Sequence, residues 1–210
     1  MINYILYFHD FFSYVYCCIL FKKKANMDSN TINYNEEVLK GGFIIGGISI
    51  LIGMFIYVFN TKFLASAWML LIGLLPVLIV GIYIGISYRN AIGKYISYGE
   101  SLKFLFLIFI IASLLGTAFN VLLFHFIDPT LANNIELWTI ENTASYMEYW
   151  GVPQEVIDQE VSKLEGTISQ QYSISGILKS FPIGLIIMFL LALIASIFVK
   201  KEEPVSDRIN

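Results

Sequence analysis

The chain has 210 residues, of which 57% are hydrophobic and only 14% charged, with a formal net charge of −3. Soluble domains average about 45–50% apolar and about 25% charged residues, so this composition excludes a disordered chain and an ordinary soluble enzyme. The acidic balance offers no basic face to a phosphate backbone, which excludes a nucleic-acid binder.

Residues 1–26 are crowded with Tyr, Phe, Ile and Lys and hold both cysteines, Cys17 and Cys18. His9 and Asp10 interrupt the apolar run, and the remainder, Phe11 to Phe21, falls short of the roughly 20 residues a span requires. Lys22-Lys23-Lys24 follows the apolar stretch, whereas a signal peptide carries its charges before it. Three readings fit: an interfacial anchor, a marginal fifth span, or a stretch upstream of a true start at Met27. On the last reading residues 1–26 are not translated, and 27–210 form a single membrane domain. The cysteines are adjacent and have no partner elsewhere, so no disulfide framework is implied.

Four uncharged windows follow, at residues 41–61, 63–88, 104–127 and 180–199. Each is long enough to cross about 30 Å of hydrocarbon as a helix. A lone strand would leave its backbone unpaired in lipid, and the alternation of a membrane barrel is absent. The predicted fold is therefore all-α and polytopic, with transmembrane helices at about residues 38–60, 63–88, 98–127 and 175–200. Ser97-Tyr98-Gly99-Glu100 is a capping box that starts the third helix. Pro76 lies inside the second span, where a kink is expected, and Pro182 lies near the start of the fourth. Trp68, early in span two, suits an interfacial aromatic anchor. Arg89 ends that span, where it can hold lipid phosphate or helix-end carbonyls.

Basic residues set the orientation. Lys40, Arg89, Lys94, Lys103, Lys200, Lys201 and Arg208 fall on one side, against Lys62, Lys163 and Lys179 on the other. Both ends of the four-helix domain are therefore predicted to be cytoplasmic, with residues 128–175 extracytoplasmic. That segment carries eight acids, from Asp128 to Glu165, and one base, Lys163. Asp128-Pro129 reads as a cap followed by proline at the first helical position. Leu131, Ile135 and Trp138 recur at helical spacing, with Tyr149 extending the stripe. Gly151 ends this helix and Pro153 opens the next, in which Ile157, Val161, Leu164, Ile168 and Tyr172 form one apolar face. The prediction is a two-helix acidic hairpin over residues 129–172. Its stripes must bury against each other, the outer helix ends, the lipid interface or another subunit.

The run Gly93-Lys94-Tyr95-Ile96-Ser97-Tyr98-Gly99-Glu100-Ser101 precedes a long apolar helix ending Phe126-Ile127-Asp128-Pro129. An acidic helical insert around Gly151-Val152 and a final span closing in lysines follow. From Asn35 to Glu203 this pattern resembles the small bacterial membrane proteins of domain-of-unknown-function family 4199. The resemblance implies four membrane helices in a bacterial cytoplasmic membrane. It implies no activity and carries over no catalytic or binding residue.

The nucleotide-binding glycine loops, the H-E-x-x-H and C-x-x-C patterns and the nucleophile elbow are all missing. His125 is the only histidine besides His9, so no multi-histidine metal site can form. His125 and Asp128 share a helix face, which suits either a proton relay or metal contact, or an interfacial histidine bonded to the helix cap. Asn120, deeper in the bilayer, reads as interhelical glue or as the lining of a polar pathway. No ionisable residue lies at mid-depth in any span, which argues against active transport. Glu141 and Glu148 share a face, but no loop has calcium-site spacing, and a solvated acidic surface is the reading. Glu100 and Lys103 share the first turn of the third helix, as a functional ion pair or, the favoured reading, as cap and snorkelling lysine. Gly42-x-x-x-Gly46 and Gly81-x-x-x-Gly85 are close-approach motifs that serve either packing of spans one and two within a chain or a homo-oligomer. No catalytic, cofactor-binding or metal-binding residue is predicted. The expected protein is a non-enzymatic integral membrane protein whose outer hairpin binds a protein partner or steadies the bundle. A small-solute or ion conduit is the second reading, resting on Asn120, His125 and Pro76.

Overall fold

The computed structural model describes residues 33–66, 68–93 and 95–202. The readings of residues 1–26, including Cys17, Cys18 and His9, lie outside the described residues. Four helices are long and apolar enough to cross a membrane: α1 (Tyr34–Phe59), α2 (Trp68–Ala91), α3 (Tyr98–Leu122, continued to Ile127) and α7 (Ile174–Val199). Between α3 and α7 lie α4 (Leu131–Tyr149), α5 (Gln154–Leu164) and α6 (Thr167–Gln171). The four long helices run alternately up and down. One end of the bundle is covered by α4–α6 and is called the cap end; the other carries Arg89.

Local chemistry sets the helix limits. The Asn33 side chain accepts from the Asn35 amide at 3.2 Å and starts α1. Glu36 and Glu37 in its first turn suit the positive end of the helix dipole. A short 3₁₀ turn, Thr61–Ala65, intervenes before α2, so the second span opens at Trp68 rather than at residue 63. At the start of α3 the Ser97 hydroxyl accepts from the Glu100 amide, and the Glu100 carboxylate accepts from the Ser97 amide at 3.0 Å. Ser173 caps α7 by accepting from Gly176 at 3.1 Å.

The bundle is tightly packed toward the Arg89 end. Phe104, Leu105, Ile108 and Phe109 on α3 are fully buried, with Ala192, Ala195 and Val199 of α7 against them. Lipid supplies no hydrophobic drive between helices, so close approach and dispersion must hold them together. Glycines permit that approach. A Cβ on Gly42 would lie 2.5 Å from Ile111, and one on Gly46 2.8 Å from Leu115, both on α3. A Cβ on Gly81 would lie 2.7 Å from Phe109, and one on Gly85 2.6 Å from Val199 of α7. Both motifs thus work inside one chain, chiefly against α3 and α7 rather than between spans one and two.

The Arg89 end is closed by polar contacts. Arg89 donates to the Val199 carbonyl at 2.9 Å, one of the orphan acceptors at the end of α7. Ile96 and Lys201 exchange backbone hydrogen bonds at 2.9 and 3.0 Å, pinning the α2–α3 loop to the chain leaving α7. The outward-facing residues of the long helices are Phe43, Val58, Ile79, Ile183, Ile186 and others like them, all exposed. A surface this apolar is compatible with a chain solvated by lipid.

Candidate functional site

Packing reverses toward the cap end. Cβ atoms on Gly47, Gly73, Gly116 and Gly184 would meet nothing within 4 Å. Cavities lie in this half among the described residues. One of about 260 Å³ lies between α3 and α7 and is lined by Ser113, Thr117, Asn120, Ser180 and Gly184, among others. A second of about 290 Å³ lies toward α1, with Ser49, Gly53, Gly116 and Asn120 in its wall. The third, about 640 Å³, sits under α4 between Leu64, Met69, Thr139 and Tyr146. Tyr172 borders all three.

The cap rests on this end through a small apolar cluster. Leu131 and Ile135 of α4 are buried with Leu123 and Phe124, and Tyr57, Leu64, Phe119, Trp138, Ile168 and Tyr172 pack around them. The Tyr172 ring lies 4.3 Å from that of Phe124, centroid to centroid. Asn142 reaches down to the Ala65 carbonyl at 3.4 Å. Of the alternatives open to the amphipathic stripe, the structure takes the helix ends of its own bundle and the other cap helices.

The cap departs from the predicted hairpin in three respects. Asp128 caps a turn rather than a helix: its Oδ1 accepts from the Thr130 amide and hydroxyl at 3.1 and 2.7 Å, so α4 starts at Leu131. Tyr149 does not extend the buried stripe. It is 84% exposed, because α4 ends there in a left-handed Gly151 with paired bonds from Gly151 to Glu148 and Val152 to Met147. Finally, the second helix is two helices. Gly166, at φ +72°, breaks the Ile157–Tyr172 stripe between α5 and α6.

Glu136 of α4 holds that break. Its two carboxylate oxygens accept from the Gly166 amide at 2.8 Å and the Ser169 amide at 2.7 Å. A carboxylate borrowed from 30 residues away thus caps α6, whose own N-cap glycine has no side chain to do so. The Gly166 amide first, then Ser169, holds the Glu136 carboxyl below the usual carboxylate range. A depressed folded pKa gives stability that is present above the unfolded pKa and is lost as pH falls through the folded one. Acidification should therefore release α6 from α4, read as lower protection factors at the Gly166 and Ser169 amides, each exchange rate being taken relative to the intrinsic rate at the same pH. The Glu136→Gln variant should show low protection factors at these amides already at neutral pH, with no further fall on acidification. Relief of repulsion among the other cap acids on acidification acts in the opposite direction, so an unchanged profile in Glu136→Gln would refute the latch.

The residues singled out from sequence are placed as follows. Asp128 Oδ2 accepts from the Tyr57 hydroxyl at 3.3 Å, tying α1 to the end of α3. Residues Leu123–Ile127 form a π turn, with Asp128 N bonding Leu123 O at 2.9 Å, and the Asp128 carboxylate bonds Tyr57 and Thr130. His125 Nδ1 is buried with no hydrogen-bond partner among the described residues. Asn120 is exposed within its cavity wall and bonds no other described residue through its amide. Glu141, Ser145 and Glu148 lie exposed on the cap. Among the described residues, no three His, Cys, Asp or Glu side chains are grouped to hold a metal ion.

Ser113 and Thr117 were missed by the sequence reading, although Ser113, Thr117 and Asn120 repeat at spacings of four and three, which is a polar stripe on an apolar span. Ser180 and Gly184 repeat at four on α7. Tyr57 and Glu136 carried no such signal, since their partners are distant in sequence.

Neither the curated proteins nor the solved structures contain a match to this chain. A family model described as "Protein of unknown function (DUF4199)" matches residues 40–201, which take in all four long helices but the first turns of α1, together with the whole cap. The chain therefore belongs to the DUF4199 family.

Proposed function

We propose that this is a non-enzymatic, multi-pass protein of a bacterial cytoplasmic membrane whose acidic segment is an extracytoplasmic cap that steadies the bundle. The observation that carries this reading is the complete burial of Leu131, with Ile135 at 3% exposure, against the ends of the membrane helices. Those contacts place the cap where the helices themselves are least well packed. The acidic face, with Glu141 and Glu148 exposed, stays free to meet a basic partner. The excess of Lys and Arg at the Arg89 end supports placing that end in the cytoplasm. An assembly of copies would need the lipid-facing surface, since Gly42, Gly46, Gly81 and Gly85 are occupied within the chain.

The solute-conduit reading draws on the cavities around Asn120. It is the weaker of the two, because the cleft ends at Ser113 above the buried layer of Ile108, Phe109 and Ala112. Sidedness is tested with a single cysteine. In a chain starting at Met27, Ser145→Cys should react with an impermeant thiol reagent in intact cells whose outer envelope is permeabilised. Labelling only after the cytoplasmic membrane is broken would invert the assignment.

A further inference from the structure

The cleft between α3 and α7 combines polar walls with an opening toward lipid. The Ser113 hydroxyl donates to Ile110 O at 2.8 Å, Thr117 to Ser113 O at 2.8 Å and Ser180 to Gly176 O at 2.9 Å. Each hydroxyl has spent its one hydrogen on its own helix and presents only acceptor lone pairs. The Asn120 and Gln171 amides, each with N–H donors and a carbonyl acceptor, and the Tyr172 hydroxyl complete the polar lining. No Lys or Arg is among the lining residues, so the walls do not match an anion. Donors and acceptors together, with no cation, fit a neutral group that both donates and accepts, namely a hydroxyl.

Depth and opening select its source. The 30 residues from Tyr98 to Ile127 make about 45 Å of helix against about 30 Å of hydrocarbon. Asn120 lies eight residues before Asp128, or roughly 12 Å along the axis, which sets it just inside the hydrocarbon edge. Asn120 and Ser180 are both exposed, and their neighbours Leu114, Ile183 and Ile187 form an apolar surface beside the mouth. At about 260 Å³ the cleft is smaller than the roughly 300–1,000 Å³ of a site that encloses a whole ligand. It suits one end of a molecule whose apolar part stays in the bilayer.

We infer that this cleft binds the hydroxyl headgroup of a neutral lipid from the leaflet on the cap side, with Asn120 as its donor–acceptor anchor and the acyl chains lying along α3 and α7. This assignment does not depend on the cap's role, because its variants lie on α3 and α7 and leave Leu131 and Glu136 untouched.

The test is native mass spectrometry of the full chain released from nanodiscs of dioleoylphosphatidylcholine doped with dioleoylglycerol. The wild-type protein should retain one dioleoylglycerol in preference to phosphatidylcholine, whose headgroup has no hydroxyl to donate. Asn120→Leu removes the anchor, and retention should fall about tenfold, the size of one lost neutral hydrogen bond. Gly184→Leu fills the cleft by a different route, from a position where a Cβ meets nothing within 4 Å; with its melting temperature matched to wild type, its retention should fall at least as far. Equal retention of the two lipids by wild type would overturn the proposal, as would undiminished retention in Gly184→Leu. Displacement of dioleoylglycerol by free glycerol would overturn the lipid source in favour of a soluble polyol.

Discussion

Gly42→Ala should lower the thermal stability of the purified protein in mild detergent by about 1–3 kcal/mol, toward the upper end of the range for overpacking. The new methyl would sit 2.5 Å from both Cβ and Cγ2 of Ile111, and the Ile108 carbonyl lies 3.3 Å away. Those atoms belong to the root of a β-branched side chain and to backbone, so no rotamer change clears them. Relief requires α1 to move off α3, which loosens the burial of Ile45 and Ile108 on either side. Gly47→Ala is the matched control. It adds the same methyl to the same helix, where nothing lies within 4 Å. There the gain from replacing a helical glycine, about 0.5–1 kcal/mol, should show as a small rise in melting temperature. Similar melting of the two variants would mean that α1 does not seat on α3 through Gly42.

Leu131→Ala should cost about 2–5 kcal/mol, the range for truncating a buried leucine when its surroundings relax only in part. Leu131 is fully buried at the point where α4 meets the bundle, among Leu123, Phe124 and Ile135. The neighbouring cavities leave little material to collapse into the new space. Hydrogen exchange separates the consequences. If the cap steadies the bundle, amides of α4 and of the cap-side halves of α1 and α3 should lose protection together, along with a fall in melting temperature. Loss confined to α4 would show a cap that merely rests on a self-sufficient bundle, and the role proposed for it would fail.

These two variants divide what the chain encodes locally from what it does not. Ser97 and Glu100 lie three residues apart, and their reciprocal capping needs nothing beyond one helical turn. The same holds for Gly151, whose left-handed conformation closes α4 before Pro153 opens the next helix. Gly166 lacked such a signal. Its local sequence reads as a continuous amphipathic stripe, and the break there is held by Glu136, whose carboxylate arrives from another helix. Asp128 is a second such case: a π turn precedes it, and its carboxylate accepts from Tyr57, 71 residues away.

By itself, the amino-acid sequence determined four helices long and apolar enough to cross lipid, because lipid demands long uncharged runs with every backbone group paired inside the segment. It also determined where several of them start and stop, because caps are chemistry between near neighbours. Only the tertiary structure decided which helix each glycine faces, why one half of the bundle is dense and the other hollow, and what the acidic segment sits on. Those outcomes depend on side chains tens of residues apart meeting at contact distance. In lipid that meeting is governed by shape rather than by hydrophobicity, so the pattern of apolar residues leaves it open.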